Sequence, residues 1–129
     1  MTKLPTNSII ASGPVIIEDN KVLLNREQKP DGLSFWMFPG GEVEAFDVSL
    51  EEACKRETKE EMGIEVEIIK PLTPMILQKE ERIIVLIHFL AKRLGEIKPG
   101  QETADWGWHD INNLPDNCAP NVYEIIKSL

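Results

Sequence analysis

The stretch that most constrains this chain is Gly40 to Ile64, GGEVEAFDVSLEEACKRETKEEMGI, a glycine turn running into one acidic helix. Ser49 suits an N-cap, and Glu52 three residues on completes a capping box. Glu51 and Glu52 put negative charge in the first turn, where the helix dipole favours it. Gly63 supplies the stop. Together these signals predict a helix from about Leu50 to Met62.

At ~100° per residue, Leu50, Ala53, Cys54, Thr58 and Met62 share one half of the helical wheel. Glu52, Lys55, Arg56 and Lys59 fall opposite, on the side expected to meet solvent. Glu57, Glu60 and Glu61 do not join them; they share the arc of Leu50 and Ala53, facing inward or into a cleft. Clustered carboxylates repel, and burying one unpaired is costly. A divalent cation removes both problems, and carboxylate oxygens suit a hard ion such as Mg2+, with Mn2+ an alternative. A charge run more often marks a solvated face. The wheel argues against that here.

RETKEEMGI preceded by PGG resembles the signature of the Nudix hydrolases, the MutT-like family. Arg56-Glu57, Glu60-Glu61 and Gly63 match its core fully, and Ile64 fills its last aliphatic position. The chain departs from it in the loop. Five residues separate Gly41 from Asp47, which stands where the pattern has Glu, and eight residues rather than seven separate Asp47 from Arg56. Thr58 also stands where the pattern has a bulky aliphatic.

The resemblance implies an α/β/α sandwich around a mixed sheet, and a Mg2+-dependent pyrophosphohydrolase. Phosphoryl or nucleotidyl transfer to water needs charge neutralisation, in-line positioning and an activated water. Glu57, Glu60 and Glu61 are the expected metal ligands and catalytic acids, with Glu57 or Glu60 as the base. The carbonyl around Gly40 is expected to help bind metal, and Gly41 to let backbone approach the ligand closely. Arg56 would orient the loop through Asp47 or Glu44. A further metal carboxylate is expected from a later loop, Glu102 first, then Glu80 and Glu81. Arg26 is placed to meet a substrate phosphate, and Asp105, Trp106, Asn121 and Tyr123 lie where related enzymes read a nucleobase.

Family marks of particular substrates are missing. Lys79 and Glu80 stand where ADP-ribose enzymes carry Pro, and the Tyr of dinucleoside-polyphosphate enzymes and the coenzyme A motif are absent. A nucleoside triphosphate pyrophosphohydrolase is the leading reading. Hydrolysis of a nucleotide sugar, ADP-ribose or a dinucleoside polyphosphate, or a nucleotide-binding module without catalysis, are the alternatives.

The 129 residues suit one domain over the whole length, 1–129. A net charge of -8 argues against a nucleic-acid polymer as partner but not against small nucleotides. Cys54 and Cys118 have no metal or redox spacing, and Cys54 on the apolar helix face reads as a core thiol. No signal-peptide pattern and no apolar run of membrane-spanning length is present, so a cytoplasmic location is expected. Oligomeric state is not readable.

Along the chain, Ser8–Glu18 and Lys21–Asn25 read as strands joined by Asp19-Asn20. Gly13 suggests a bulge or a close backbone approach. Phe35–Phe38 reads as a buried strand, with Trp36 in the core rather than stacked on a base. Ile64–Lys70, Met75–Gln78, Arg82–Ala91 and Asp105–His109 read as further strands, and Arg82–Ala91 as the central one. His88 within it reads as a satisfied core histidine. A last helix begins near Pro120.

Overall fold

The computed structural model describes residues 5–129. Strands β1 (Ile9–Val15), β2 (Ile17–Glu18), β3 (Lys21–Lys29), β4 (Gly32–Leu33) and β5 (Gly41–Glu42) precede helix α1 (Leu50–Met62). β6 (Glu65–Pro71), β7 (Met75–Lys79), β8 (Arg82–Leu94), β9 (Thr103–Asp110) and helix α2 (Pro120–Ser128) follow. α1 has the limits its caps predict: Ser49 Oγ accepts from Glu52 N at 3.0 Å, and Gly63 stops the helix at φ 70°.

β8 is the hub, as its apolar run predicts. β1 lies parallel along one edge, from Ile9 opposite Ile84 to Val15 opposite Leu90. β7 and then β6 pair antiparallel along the other, and β5 pairs with β1. β3 organises a second sheet with β2, β4 and β9. On one face Met62 of α1 packs with Ile16, Leu23, Ile64, Val66 and Ala91. On the other, Val122 and Ile125 of α2 pack on Val15, Val22, Leu24 and Phe38. The result is an α/β/α sandwich with a mixed sheet.

Two strand readings change. The run Ser8–Glu18 divides at Ile16, because the chain leaves β8 there and enters the second sheet, where Leu23 N reaches Ile16 O at 3.0 Å. Phe35–Phe38 is not a buried strand. Phe35 is 62% exposed and only Phe38 is buried; Trp36 and Met37 make single bridges to Cys118 and Asn25. A short apolar run does not reveal which of its residues the tertiary fold will cover. Gly13 fulfils the close-approach reading: a Cβ there would collide with the Pro39 carbonyl oxygen.

Candidate active site

Three local facts build the site. The first is the helix. Glu57, Glu60 and Glu61 project from the last two turns of α1 and line one cleft of about 270 Å³ with Gly100, Gln101, Glu102 and Thr103. Their burial is graded: the Glu60 side chain is 59% exposed and that of Glu57 14%. Burial raises the Glu57 carboxyl above its ordinary range, against the pull of Arg56. Glu61 is pushed up to about 7, chiefly by burial, although Asn25 and the Gly40 N–H both donate to it.

The second is the way the helix ends. Its last carbonyls need partners outside the helix. Lys98 N donates to Met62 O and Gly100 N to Glu61 O, each at 2.8 Å, and Thr103 Oγ1 reaches Glu61 O at 3.2 Å. The loop after β8 is thereby fastened to the helix terminus, and Glu102 is carried to the cleft.

The third is the glycine turn. Gly40, at φ 144°, packs against Ser12 and Gly13 of β1 and presents its N–H to Glu61 Oε2 at 3.3 Å. Gly41 abuts Glu57 so closely that a Cβ would collide with its carboxylate.

Arg56 differs from its wheel position. It was expected among the solvated residues, yet its side chain is only 21% exposed. The long stem folds back: Nη1 donates to Glu57 Oε1 at 2.8 Å and to Glu60 Oε2 at 3.2 Å, and Nη2 to the Glu42 carbonyl at 3.1 Å. Nε and Nη2 grip Asp47, whose carboxyl this pairing holds down to about 2. Of the two loop acids considered, Asp47 is the partner. Glu44 contributes its backbone N–H to the same carboxylate at 2.8 Å.

The remaining sequence candidates lie outside that lining. Arg26 donates through Nε to Ser34 O at 2.8 Å, with its guanidinium over the Trp36 ring, and pairs in register with Asp105. Asp105 accepts from Trp106 N. Asn121 is 5% exposed, with its amide 3.1 Å from His88 Nε2. Tyr123 hydroxyl donates to Pro115 O. Glu80 and Glu81 sit at the β7–β8 turn, outside the cleft lining. Sequence reading missed Asn25 and Thr103. Asn25 ends an apolar strand run, the one signal that set it apart.

The four carboxylates in the cleft, Glu57, Glu60, Glu61 and Glu102, offer oxygens, the set a hard cation takes. Among the described residues no group of three or more acidic, histidine or cysteine side chains is arranged to hold a metal ion by itself. An open set, to be completed by water and substrate phosphates, is how Mg2+ is commonly held. Gly40, Gly41 and the buried, charge-uncompensated Glu61 fit such an ion. A larger cavity of about 700 Å³, lined by Ile69, Lys70, Leu90, Arg93 and Leu129 among others, holds none of these acids. Among the described residues no helix is long and apolar enough to cross a membrane.

The chain matches the family model described as the NUDIX domain over residues 9–129. It is 30% identical over 129 residues to the ADP-ribose pyrophosphatase of Methanocaldococcus jannaschii, covering 97% of this chain and 75% of that protein. Its fold is similar to that of a MutT NUDIX hydrolase from Burkholderia pseudomallei, with TM-score 0.85, 24% identity, and 95% and 98% of the two chains covered. It is also similar to the E. coli ORF135 protein, with TM-score 0.79, 26% identity, and 93% and 86% covered. Match and fold agree with the PGG turn and the RETKEEMGI helix, and the chain belongs to the Nudix family: it is a hydrolase of pyrophosphate bonds in nucleoside-diphosphate-linked compounds.

Proposed function

We propose that this chain, read as one Nudix domain over residues 1–129, is a Mg2+-dependent nucleoside triphosphate pyrophosphohydrolase that releases nucleoside monophosphate and pyrophosphate. The observation that carries the reading is the lining of one cleft by Glu57, Glu60, Glu61 and Glu102 beside the Gly40-Gly41 turn. These carboxylates and the Gly40 carbonyl would hold the cation, with Mn2+ as a substitute. When bound, the cation supplies charge neutralisation for phosphate oxygens and a more acidic water. Glu57 or Glu60 would accept the proton of the attacking water. Arg56 fixes both relative to the turn. Arg26, Gly41 and Asp105 are assigned to the substrate, with Arg26 and Asp105 side by side on β3 and β9, whereas Asn121, buried against His88, is withdrawn from that role. The two free thiols and the acidic balance agree with a cytoplasmic enzyme of small nucleotides.

ADP-ribose is the second reading. The 30%-identical ADP-ribose pyrophosphatase favours it, and Lys79-Glu80 in the place of Pro ranks it second. The test is Mg2+-dependent turnover of nucleoside triphosphates, ADP-ribose, nucleotide sugars and dinucleoside polyphosphates, with products identified. Pyrophosphate from triphosphates supports the first reading. AMP with ribose 5-phosphate from ADP-ribose replaces it with the second. No turnover by folded protein across the panel overturns both.

A further inference from the structure

Asn25 is an unexpected residue where it stands. Val22, Leu23, Leu24 and Asn25 are each 0% exposed, and the first three are apolar. Side chains alternate along a strand. Val22 and Leu24 pack under α2 and Leu23 under α1, so Asn25 follows Leu23 onto the α1 face. Its backbone N–H donates to Met37 O at 2.8 Å and its carbonyl accepts from Met37 N at 3.0 Å.

The amide is used in one direction only. Nδ2 donates to Glu61 Oε1, while Oδ1 is buried with no partner among the described residues. Buried polar atoms are normally satisfied, and locally unfavourable choices concentrate at functional sites. The chain also treats its three carboxylates differently. Glu57 and Glu60 are ion-paired with Arg56, whereas among the described residues Glu61 makes no ion pair and receives only neutral donors, Asn25 Nδ2 and Gly40 N. A neutral donor fixes a carboxylate without cancelling its charge.

We propose that Asn25 is a positioning residue of the hydrolytic site: from β3 its amide sets the orientation of the Glu61 carboxylate and leaves its negative charge for a divalent cation. The inference rests on the metal-site reading above. Groups that orient a metal ligand typically change affinity by about 10- to 100-fold when removed.

The test is Mn2+ binding without substrate, by electron paramagnetic resonance, on wild type, Asn25→Leu and Leu24→Ala, each with its Tm. Asn25→Leu keeps a similar volume and removes the donor; Leu24→Ala damages the opposite face of the same strand. The expected result is a Kd raised on the order of 10-fold or more in Asn25→Leu and unchanged in Leu24→Ala. Equal Kd in Asn25→Leu and wild type overturns the proposal and leaves the metal site standing. Equal weakening in both variants also overturns it, because a generally loosened strand then explains the effect. A wild type that binds no Mn2+ overturns the metal-site reading and this inference with it. Should Asn25→Leu not fold, the side-chain amide resonances of Asn25 in wild type are followed during Mg2+ titration. They are expected to shift, and unmoved resonances at saturation overturn the proposal.

Discussion

Arg56 and Asp47 meet in a two-pronged pair, Nε to Oδ1 at 2.9 Å and Nη2 to Oδ2 at 2.8 Å. This is the planar fork geometry that distinguishes Arg from Lys. The shorter carboxylate reaches Arg56 from a loop one residue longer than the family pattern, so the two departures are expected to offset each other.

Asp47→Ala should therefore release Arg56 and let Glu57 and Glu60 drift, lowering kcat by about 10- to 100-fold with the fold retained. Asp47→Glu tests the offset, because its longer arm must be refitted into the longer loop; intermediate activity is expected. Steady-state kinetics with circular dichroism checks both.

Glu60→Gln removes one negative charge from the cleft rim and little volume. Turnover should fall by more than about 10²-fold, since metal-held charge stabilisation is worth several kcal/mol. Glu52→Gln, at the start of the same helix, should change kcat less than about twofold and lower Tm slightly. Wild-type activity in Glu60→Gln would remove Glu60 from the metal site.

Gly41→Ala is a clean probe of the turn. The φ of Gly41 lies outside the left-handed region, so backbone strain is not the cost. The new methyl would instead displace the Glu57 carboxylate. A kcat loss on the order of 10²-fold is expected from such a misplacement, with Tm near wild type.

Glu61→Gln should make the metal-free protein more stable at pH 8. Burial raises Glu61 from 4.5 to about 7 in the fold. The folded state thus binds the proton more tightly, and stability is lost as pH rises from about 4.5 through 7, by up to about 3 kcal/mol. The variant lacks that loss. Its advantage in urea unfolding should vanish near pH 4.5, and Mg2+ should stabilise wild type more than the variant.

His88 gives the opposite slope. Burial lowers it from 6.5 to about 4, so stability is lost as pH falls through that window. In His88→Phe, beside the edge-on Phe38 ring, the acid-side loss should shrink by up to about 3 kcal/mol relative to wild type. Unfolding curves at pH 4 and 7 decide it.

Sequence alone determined the helix, its caps and the arc that carries Glu57, Glu60 and Glu61 to one cleft, because capping and helical periodicity act within a few residues. It also marked β8 as the central strand through its apolar run. It could not show that Arg56 folds back across its own helix, since a wheel plots Cβ directions and not the reach of a long side chain. Nor could it select Asp47 over Glu44 or seat Asn25 against Glu61, and it ranked Glu102 first only through the family resemblance. Those placements depend on which loop caps the end of α1 and which strand face lies beneath it. Only the closure of distant segments supplies that information.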